Sequence, residues 1–328
     1  VVFGTKRNVS NASTFDAFET FLFVPNTTTS RGAHIRDCND MKRTMIVVVV
    51  ALMPALLFGM YNTGYQVGMT GWAAFWFGFL KVLPMIVVSY VVGLGIEFFF
   101  AQKRGHEVNE GFLVSGLLIP MIMPVGTPLW MIALGTAFAV IFGKEVFGGT
   151  GMNVFNPALV ARAFVFFAYT PFISGEKVWF ADDAVSGATA LEQLATSGTM
   201  SYSTADAFLG FIPGCVGETS TLAILIGAAI LLFTGVASWR TMSFVFIGGL
   251  AMGYFFQALG VTTYPAWEHL IVGGFAFGAV FMATDPVTSA QTDKGKYIVG
   301  LMTGALAVLI RVVNPAYPEG MMLSILFM

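Results

Sequence analysis

The 328 residues are 56% hydrophobic and only 10% charged, with a mean hydropathy of +0.79 and a net charge of -2. That is far from the usual balance of about half apolar and a quarter charged, so the composition excludes an ordinary water-soluble domain and points to a polytopic membrane protein. The dispersed Lys and Arg leave no footprint for nucleic acid. Two cysteines and three histidines, with no Cys-x-x-Cys and no Cys/His cluster, leave out iron-sulfur, zinc or haem of familiar spacing. Any redox cofactor held by this chain should therefore be organic.

Residues 1 to 43 set Phe15, Phe18, Phe21, Leu22 and Phe23 at helical spacing among polar positions, which predicts an amphipathic segment on the cytoplasmic membrane surface; the alternative is a disordered tail with one apolar patch. Ten apolar runs follow, at 44 to 62, 72 to 101, 111 to 124, 128 to 143, 155 to 170, 219 to 238, 241 to 259, 268 to 284, 297 to 313 and 319 to the end. A full span needs about 20 residues, so the runs at 111, 128, 155 and 268 read as tilted, broken or half-spanning. The chain begins without Met and stops inside an apolar run, as a trimmed version of a longer protein would.

Lys and Arg collect on the cytoplasmic side of short loops. With the N-terminus inside, twelve of the sixteen fall on cytoplasmic segments, among them Lys103, Arg104, Lys144, Arg240, Lys294 and Lys296. This places residues 171 to 218 on the extracytoplasmic face and puts Cys38 and Cys215 on opposite sides. His34, His106 and His269 are scattered and read as interfacial side chains.

Ionisable groups inside spans are functional candidates, because a lone charge near the bilayer centre costs about 2.5 to 3.5 kcal/mol. They are Lys81, Glu97, Arg162 and Asp285, with Glu110 and Glu268 at edges. Glu97, four residues from the end of its run, is expected to snorkel to water; Arg162 is expected to pair with a carboxylate or a cofactor. Asp285 precedes Pro286 at a predicted helix break, where it could hold a hard cation or cap a helix end.

Gly148-Gly149-Thr150-Gly151-Met152-Asn153 lets backbone approach a planar ring closely, and it fits neither nucleotide phosphate motif. Asn156-Pro157-Ala158 then predicts a helix start, with Asn capping free amides and Pro tolerated in the first turn. Asn314-Pro315-Ala316 repeats the tripeptide 158 residues later, and Gly111-Phe112 echoes Gly274-Phe275 at an offset of 163. These offsets suggest a five-plus-five duplication with inverted repeats: 44 to 170 and 219 to 328, separated by the 171 to 218 loop. Helix starts inside the membrane present bare N-H groups and suit a polar or anionic ligand. Two Asn-Pro-Ala tripeptides are also similar to aquaporins, which use about six spans and an Arg after the second motif. Ten runs and Tyr317 stand here instead, and a passive solute channel is kept as the reading from another functional class.

Within the loop, Asp183 and Ser186-Gly187-Ala188-Thr189 resemble the acceptor sequence of flavin transferases, in which the last hydroxyl takes FMN through a phosphoester. Thr189 would be the acceptor, and Gly187 and Ala188 give a transferase room at the backbone. The plainer reading is a helix cap, with Glu192 three residues on in a capping box.

Taken in order, His106 to Phe112, Gly148 to Leu159, Ser186 to Leu191, Phe281 to Pro286 and Arg311 to Gly320 resemble the family of B-type subunits of Na+-translocating NADH:quinone oxidoreductases, from about residue 31 to the end. The D-type subunits of Rnf complexes, which are ferredoxin:NAD oxidoreductases, share the flavin loop and the Asn-Pro-Ala elements but not the His-Glu-Val-Asn-Glu-Gly-Phe string. The resemblance implies an all-α component of a six-subunit bacterial inner-membrane pump, matured by a flavin transferase, with its N-terminus cytoplasmic. It implies covalent FMN on Thr189 and non-covalent riboflavin near Asn153 and Asn156. It implies ubiquinone among the N-terminal segment, Gly93, Glu110, Gly111, Phe112, Phe164 and Phe166, although Leu94 and Leu113 depart from the family pattern. Glu97 and Asp285 would be Na+-pathway candidates; NADH has no site in this chain, and no side chain is assigned a bond-making role.

Overall fold

A computed structural model describes residues 31–32, 41–104, 111–173, 178–179, 186–187, 189–314 and 319–328. The aromatic stretch of the expected amphipathic segment, from Phe15 to Phe23, falls outside these residues, as do His34, Cys38 and His106. Each of the ten apolar runs carries helix, and the only strand pairing among the described residues is a two-residue ladder.

α1 (Met41–Gln66) and α2 (Gly71–Arg104) form an antiparallel hairpin. At 34 residues and about 1.5 Å per residue, α2 is longer than the roughly 30 Å hydrocarbon core. α3 (Phe112–Met121) is half a span, about 15 Å, because Pro120, Pro124 and Pro128 withhold amide donors and end the helix. The carbonyls freed there accept from a distant loop: Gly217 N-H donates to Met121 O at 2.7 Å and Val216 N-H to Met123 O at 3.4 Å. α4 (Leu129–Gly143) runs into a 3-10 turn, Glu145–Phe147, and the 19 residues Leu129–Phe147 are long enough to cross, although the run alone reads as tilted, broken or half-spanning.

After the glycine-rich 148 to 153 segment come α5 (Pro157–Ala168) and the short α6 (Thr170–Ile173). β1 (Val178–Trp179) pairs antiparallel with β2 (Ser186–Gly187), and α7 (Ala190–Ser197) and α8 (Thr204–Leu209) complete the polar loop. α9 (Thr221–Phe233) and α10 (Trp239–Ala258) follow. The 268 to 284 run is broken as expected: α11 (Glu268–Ile271), α12 (Phe275–Phe277) and a π-turn over Gly278–Met282. α13 (Asp293–Val313) and α14 (Met321–Phe327) close the described chain.

Among the described residues, five helices are long and apolar enough to cross a membrane. In α2 the most apolar window is only 22% buried inside the chain, with Trp72, Leu80, Val91 and Phe99 on its outer face, an apolar surface suited to lipid or to another membrane subunit. The chain is a multi-pass membrane protein. With lipid outside, helices associate by close packing of small residues. α10 and α13 show this reciprocally: a methyl carbon at Gly248 would lie 2.1 Å from Leu301 O, and one at Gly304 1.9 Å from Val245 O. The main core gathers where the broken segments meet the long helices, around Leu52, Met85, Ile119, Met121, Ile122, Met131 and Phe277.

Candidate functional site

Two polar regions lie in this apolar frame. The first is a cavity where the glycine-rich segment and the start of α5 face the break at Asp285; it is about 80 Å³ and its wall includes Gly111, Lys144, Thr150, Asn153, Asn156 and Asp285. Asn156 caps α5 as predicted: its Oδ1 accepts from Ala158 N-H at 3.0 Å and Pro157 takes the first helical position. Its other end reaches across the molecule, Nδ2 donating to Asp285 Oδ2 at 3.0 Å. Asp285 Oδ1 accepts from Val287 N-H at 3.0 Å, so the carboxylate also caps the break. Asn153 Nδ2 donates to Phe155 O at 3.1 Å. Gly148, Gly149 and Gly151 take φ of 122°, 101° and 88°, backbone that side chains rarely adopt, which carries the chain past the cavity.

One polar atom here is unaccounted for. Thr150 Oγ1 is buried without a hydrogen-bond partner, beside Gly111, where a methyl carbon would lie 2.5 Å from Thr150 Cγ2. A buried hydroxyl without a protein partner costs about 1 to 3 kcal/mol, so Thr150 Oγ1 is free to bond a water or a bound group at this wall.

Glu97 corrects the expectation of snorkelling. It and Lys144 are both 4% exposed and form an ion pair, because α4 closes against α2 at this level and brings the ammonium to the carboxylate. Lys144, counted in the sequence among cytoplasmic loop charges, is thus an interior group, and its Nζ lies 5.9 Å from the Phe112 ring centre. Phe112 is fully buried and packs where only glycine fits: a methyl carbon at Gly93 would meet its ring at 1.8 Å. The structure therefore joins Gly93, Phe112 and Gly111 to the Glu97–Lys144 pair. Phe164 belongs to a different contact, stacked on Phe138 at 4.2 Å, and Phe166 lies edge-on to Phe167 at 5.5 Å. Glu110 falls outside the described residues.

The second region is the polar loop. The backbones of Ser186 and Gly187 pair with those of Trp179 and Val178, and α7 begins three residues after Gly187. Thr189 caps that helix, its Oγ1 accepting from Glu192 N-H at 3.2 Å. The capping geometry read from sequence is present, and it places the candidate acceptor hydroxyl, half-buried, at a helix N-terminus. Asp183 and Ala188 lie outside the described residues.

Of the second Asn-Pro-Ala element only Asn314 is among the described residues: it is the C-cap of α13, its N-H donating to Ile310 O at 2.9 Å, while Pro315 and Ala316 lie outside them and the next described helix starts at Met321. Arg162, itself buried, forms an ion pair with the half-buried Glu319 beyond that element and also donates to Cys215 Sγ at 3.2 Å. Arg311 holds the same turn, donating to Glu319 O at 3.1 Å and to His269 O at 2.5 Å. His269 is accordingly buried rather than interfacial. Nothing in the sequence marks Lys144, Thr150 or Glu319 as site residues beyond the glycine run that contains Thr150.

A family model described as the NQR2, RnfD, RnfE family matches residues 28–328. The chain is 49% identical to the B-type subunit of the Na(+)-translocating NADH-quinone reductase of Chromohalobacter salexigens, across 95% of this chain and 85% of that protein. Proteins of the same name from Pseudomonas paraeruginosa and Azotobacter vinelandii are each 46% identical, across 95% of this chain and 87% of theirs.

Proposed function

Because the chain belongs to the NQR2, RnfD, RnfE family, we propose that it is the membrane-embedded B-type subunit of a Na+-translocating NADH:quinone oxidoreductase, passing electrons toward ubiquinone while Na+ is moved outward. The observation that carries the reading is the near-half identity to proteins of that name over almost the whole chain. The Rnf alternative shares the family model, and the relatives named above carry the quinone-reductase name. We read the helices as ten segments in two inverted five-helix repeats within a bacterial inner membrane, with the N-terminus cytoplasmic and the polar loop outside. Helix in every apolar run and the distribution of basic residues support this.

FMN would be esterified to Thr189. Two features of the chain suit it: a Ser-Gly strand followed closely by a half-buried hydroxyl, and a helix N-terminus whose free amides and dipole favour a phosphate. Esterification leaves the ring system free, and the flavin supplies one- and two-electron transfer when bound. Riboflavin would place its polyol in the cavity wall. Thr150 Oγ1 offers a hydroxyl in need of a partner, Asn153 and Asn156 offer neutral amides, and a volume of about 80 Å³ suits a polyol chain, leaving the ring at the mouth. Asp285 and the α5 start fix the Asn156 amide, so this wall is preorganised. The other components of the complex would bring electrons from NADH, and Gly93, Glu110, Gly111 and Phe112 would border ubiquinone.

Thr189→Val separates the two flavins. It should abolish covalently bound flavin, seen as loss of the fluorescent band on a denaturing gel, and leave extractable riboflavin unchanged. Retention of both would contradict the assignment.

A further inference from the structure

Arg311 is a buried cation with a donor to spare. It is 3% exposed and bonds two neutral carbonyls, Nε donating to Glu319 O at 3.1 Å and Nη1 to His269 O at 2.5 Å. Its Nη2 is buried without a hydrogen-bond partner, and among the described residues Arg311 makes no ion pair. Of the carboxylates nearby, that of Glu319 is paired with Arg162, and Glu218 feels Arg162 more strongly than Arg311. A guanidinium is always charged and carries five N-H donors, so an unpaired nitrogen in the interior costs more than a neutral group there.

The spare nitrogen lies beside the helix that Thr189 starts. A methyl carbon at Gly273 would lie 3.3 Å from Arg311 Nη2 and 2.7 Å from Leu191 Cδ2, so the guanidinium and the residue two positions after Thr189 close on the same bare backbone. Gly273 takes a φ of 68° at the break between α11 and α12. Arg311 also walls a cavity of about 240 Å³, together with Leu194, Ala195 and Ser197 of α7 and with Thr262 and Tyr264. Thr262 is 8% exposed, and its Oγ1 is buried without a partner as well. At about 1.5 Å per residue, the α7 side of this wall begins roughly 7.5 Å along the helix from Thr189. Apolar side chains on one side, with a cation and a hydroxyl on the other, suit a flat ring that has one polar edge.

We propose that Arg311 and Thr262 receive the pyrimidine edge of the flavin carried by Thr189, the guanidinium facing its N1 and C2=O2. Reduction brings two electrons from NADH through the other components of the complex and one proton from water, and it leaves one negative charge spread over that edge. A fixed positive charge in a site with little water favours the reduced ring and raises its potential. The start of α7 then holds the phosphate, and the same helix, one to two turns on, walls the place for the ring. The inference rests on the reading that Thr189 carries FMN, and it adds the groups that hold the ring and set its charge.

The test is an optical redox titration of the assembled complex, in which the flavin on Thr189 is the signal that Thr189→Val removes; each variant is read against its own Thr189→Val double. Arg311→Gln should lower the ratio of reduced to oxidised flavin at a fixed potential about tenfold, a shift of about 30 mV for two electrons. The signal that remains in Thr189→Val should not move. Near pH 7 the unmodified flavin should follow a slope of about 30 mV per pH unit, one proton per two electrons, and Arg311→Gln should steepen it toward about 59 mV as N1 takes a second proton. A purely structural arginine would leave that slope alone. An unchanged ratio and slope in Arg311→Gln would overturn the proposal, as would an equal shift of all the flavins together. Should Arg311→Gln fail to assemble, Thr262→Val decides: its hydroxyl has no protein partner, so the fold stands, the ratio should fall about threefold, and no fall overturns the proposal. Absence of flavin from Thr189 in the unmodified complex would instead defeat the reading on which the inference rests.

Discussion

Asn156-Pro157-Ala158 and Asn314-Pro315-Ala316 are the same tripeptide in two settings, and their asparagines end up doing opposite things. The first follows a run of glycines with positive φ, so the chain arrives at Asn156 extended and the asparagine starts a helix. The second follows 21 unbroken helical residues, so Asn314 ends one. A capping preference is a local energy of about 1 kcal/mol, and the direction of the incoming chain overrides it. The two elements are still tied together. Arg162, on the helix that Asn156 starts, is paired with Glu319, five residues after Asn314.

Cutting that tie should cost the most. Arg162→Met or Glu319→Gln strips one partner from a pair whose guanidinium is buried and whose carboxylate is half-buried, and each should cost about 2 to 3 kcal/mol, read as a loss of melting temperature of the complex. The double variant should cost less than the sum, since Glu319 no longer faces a missing partner, while Glu218 beside Arg162 keeps part of the loss. Equal and additive effects would mean that the pair does not join the two elements.

At the caps the losses should be smaller and unequal. Asn156→Ala loses both the bond from Ala158 N-H and the bond to Asp285, and should cost about 1 to 2 kcal/mol. Asn314→Ala, at an exposed helix end, should stay within about 0.5 kcal/mol. Matching losses in thermal unfolding would restore the equivalence that the sequence suggested. Smallest in stability is Thr150→Val, which removes a buried hydroxyl that has no protein partner and should leave the melting temperature of the flavin-depleted protein unchanged or slightly higher. Its extractable riboflavin should nevertheless fall, which separates a ligand-binding hydroxyl from an idle one.

Much of the fold is legible in the sequence because it is local. Apolar runs mark the helices, Pro120, Pro124 and Pro128 stop α3, and Thr189 with Glu192 sets the start of α7. The charge partners are not legible. Glu97 and Lys144 are 47 residues apart and Arg162 and Glu319 are 157 apart, so no window along the chain contains either pair. Spacing alone makes Glu97 a snorkelling side chain and Lys144 a loop charge, and only the packing of α4 on α2 buries them together. The Asn156–Asp285 bond, across 129 residues, is foreshadowed only as two separate candidates.

The decisive measurement is the mass of the peptide containing Thr189, from the complex matured with an active flavin transferase. An increment of FMN less water is expected, localised by fragmentation to Thr189. An unmodified Thr189 peptide under those conditions, or the increment on another residue, would contradict the flavin assignment and leave the hydroxyl as the helix cap that α7 already uses.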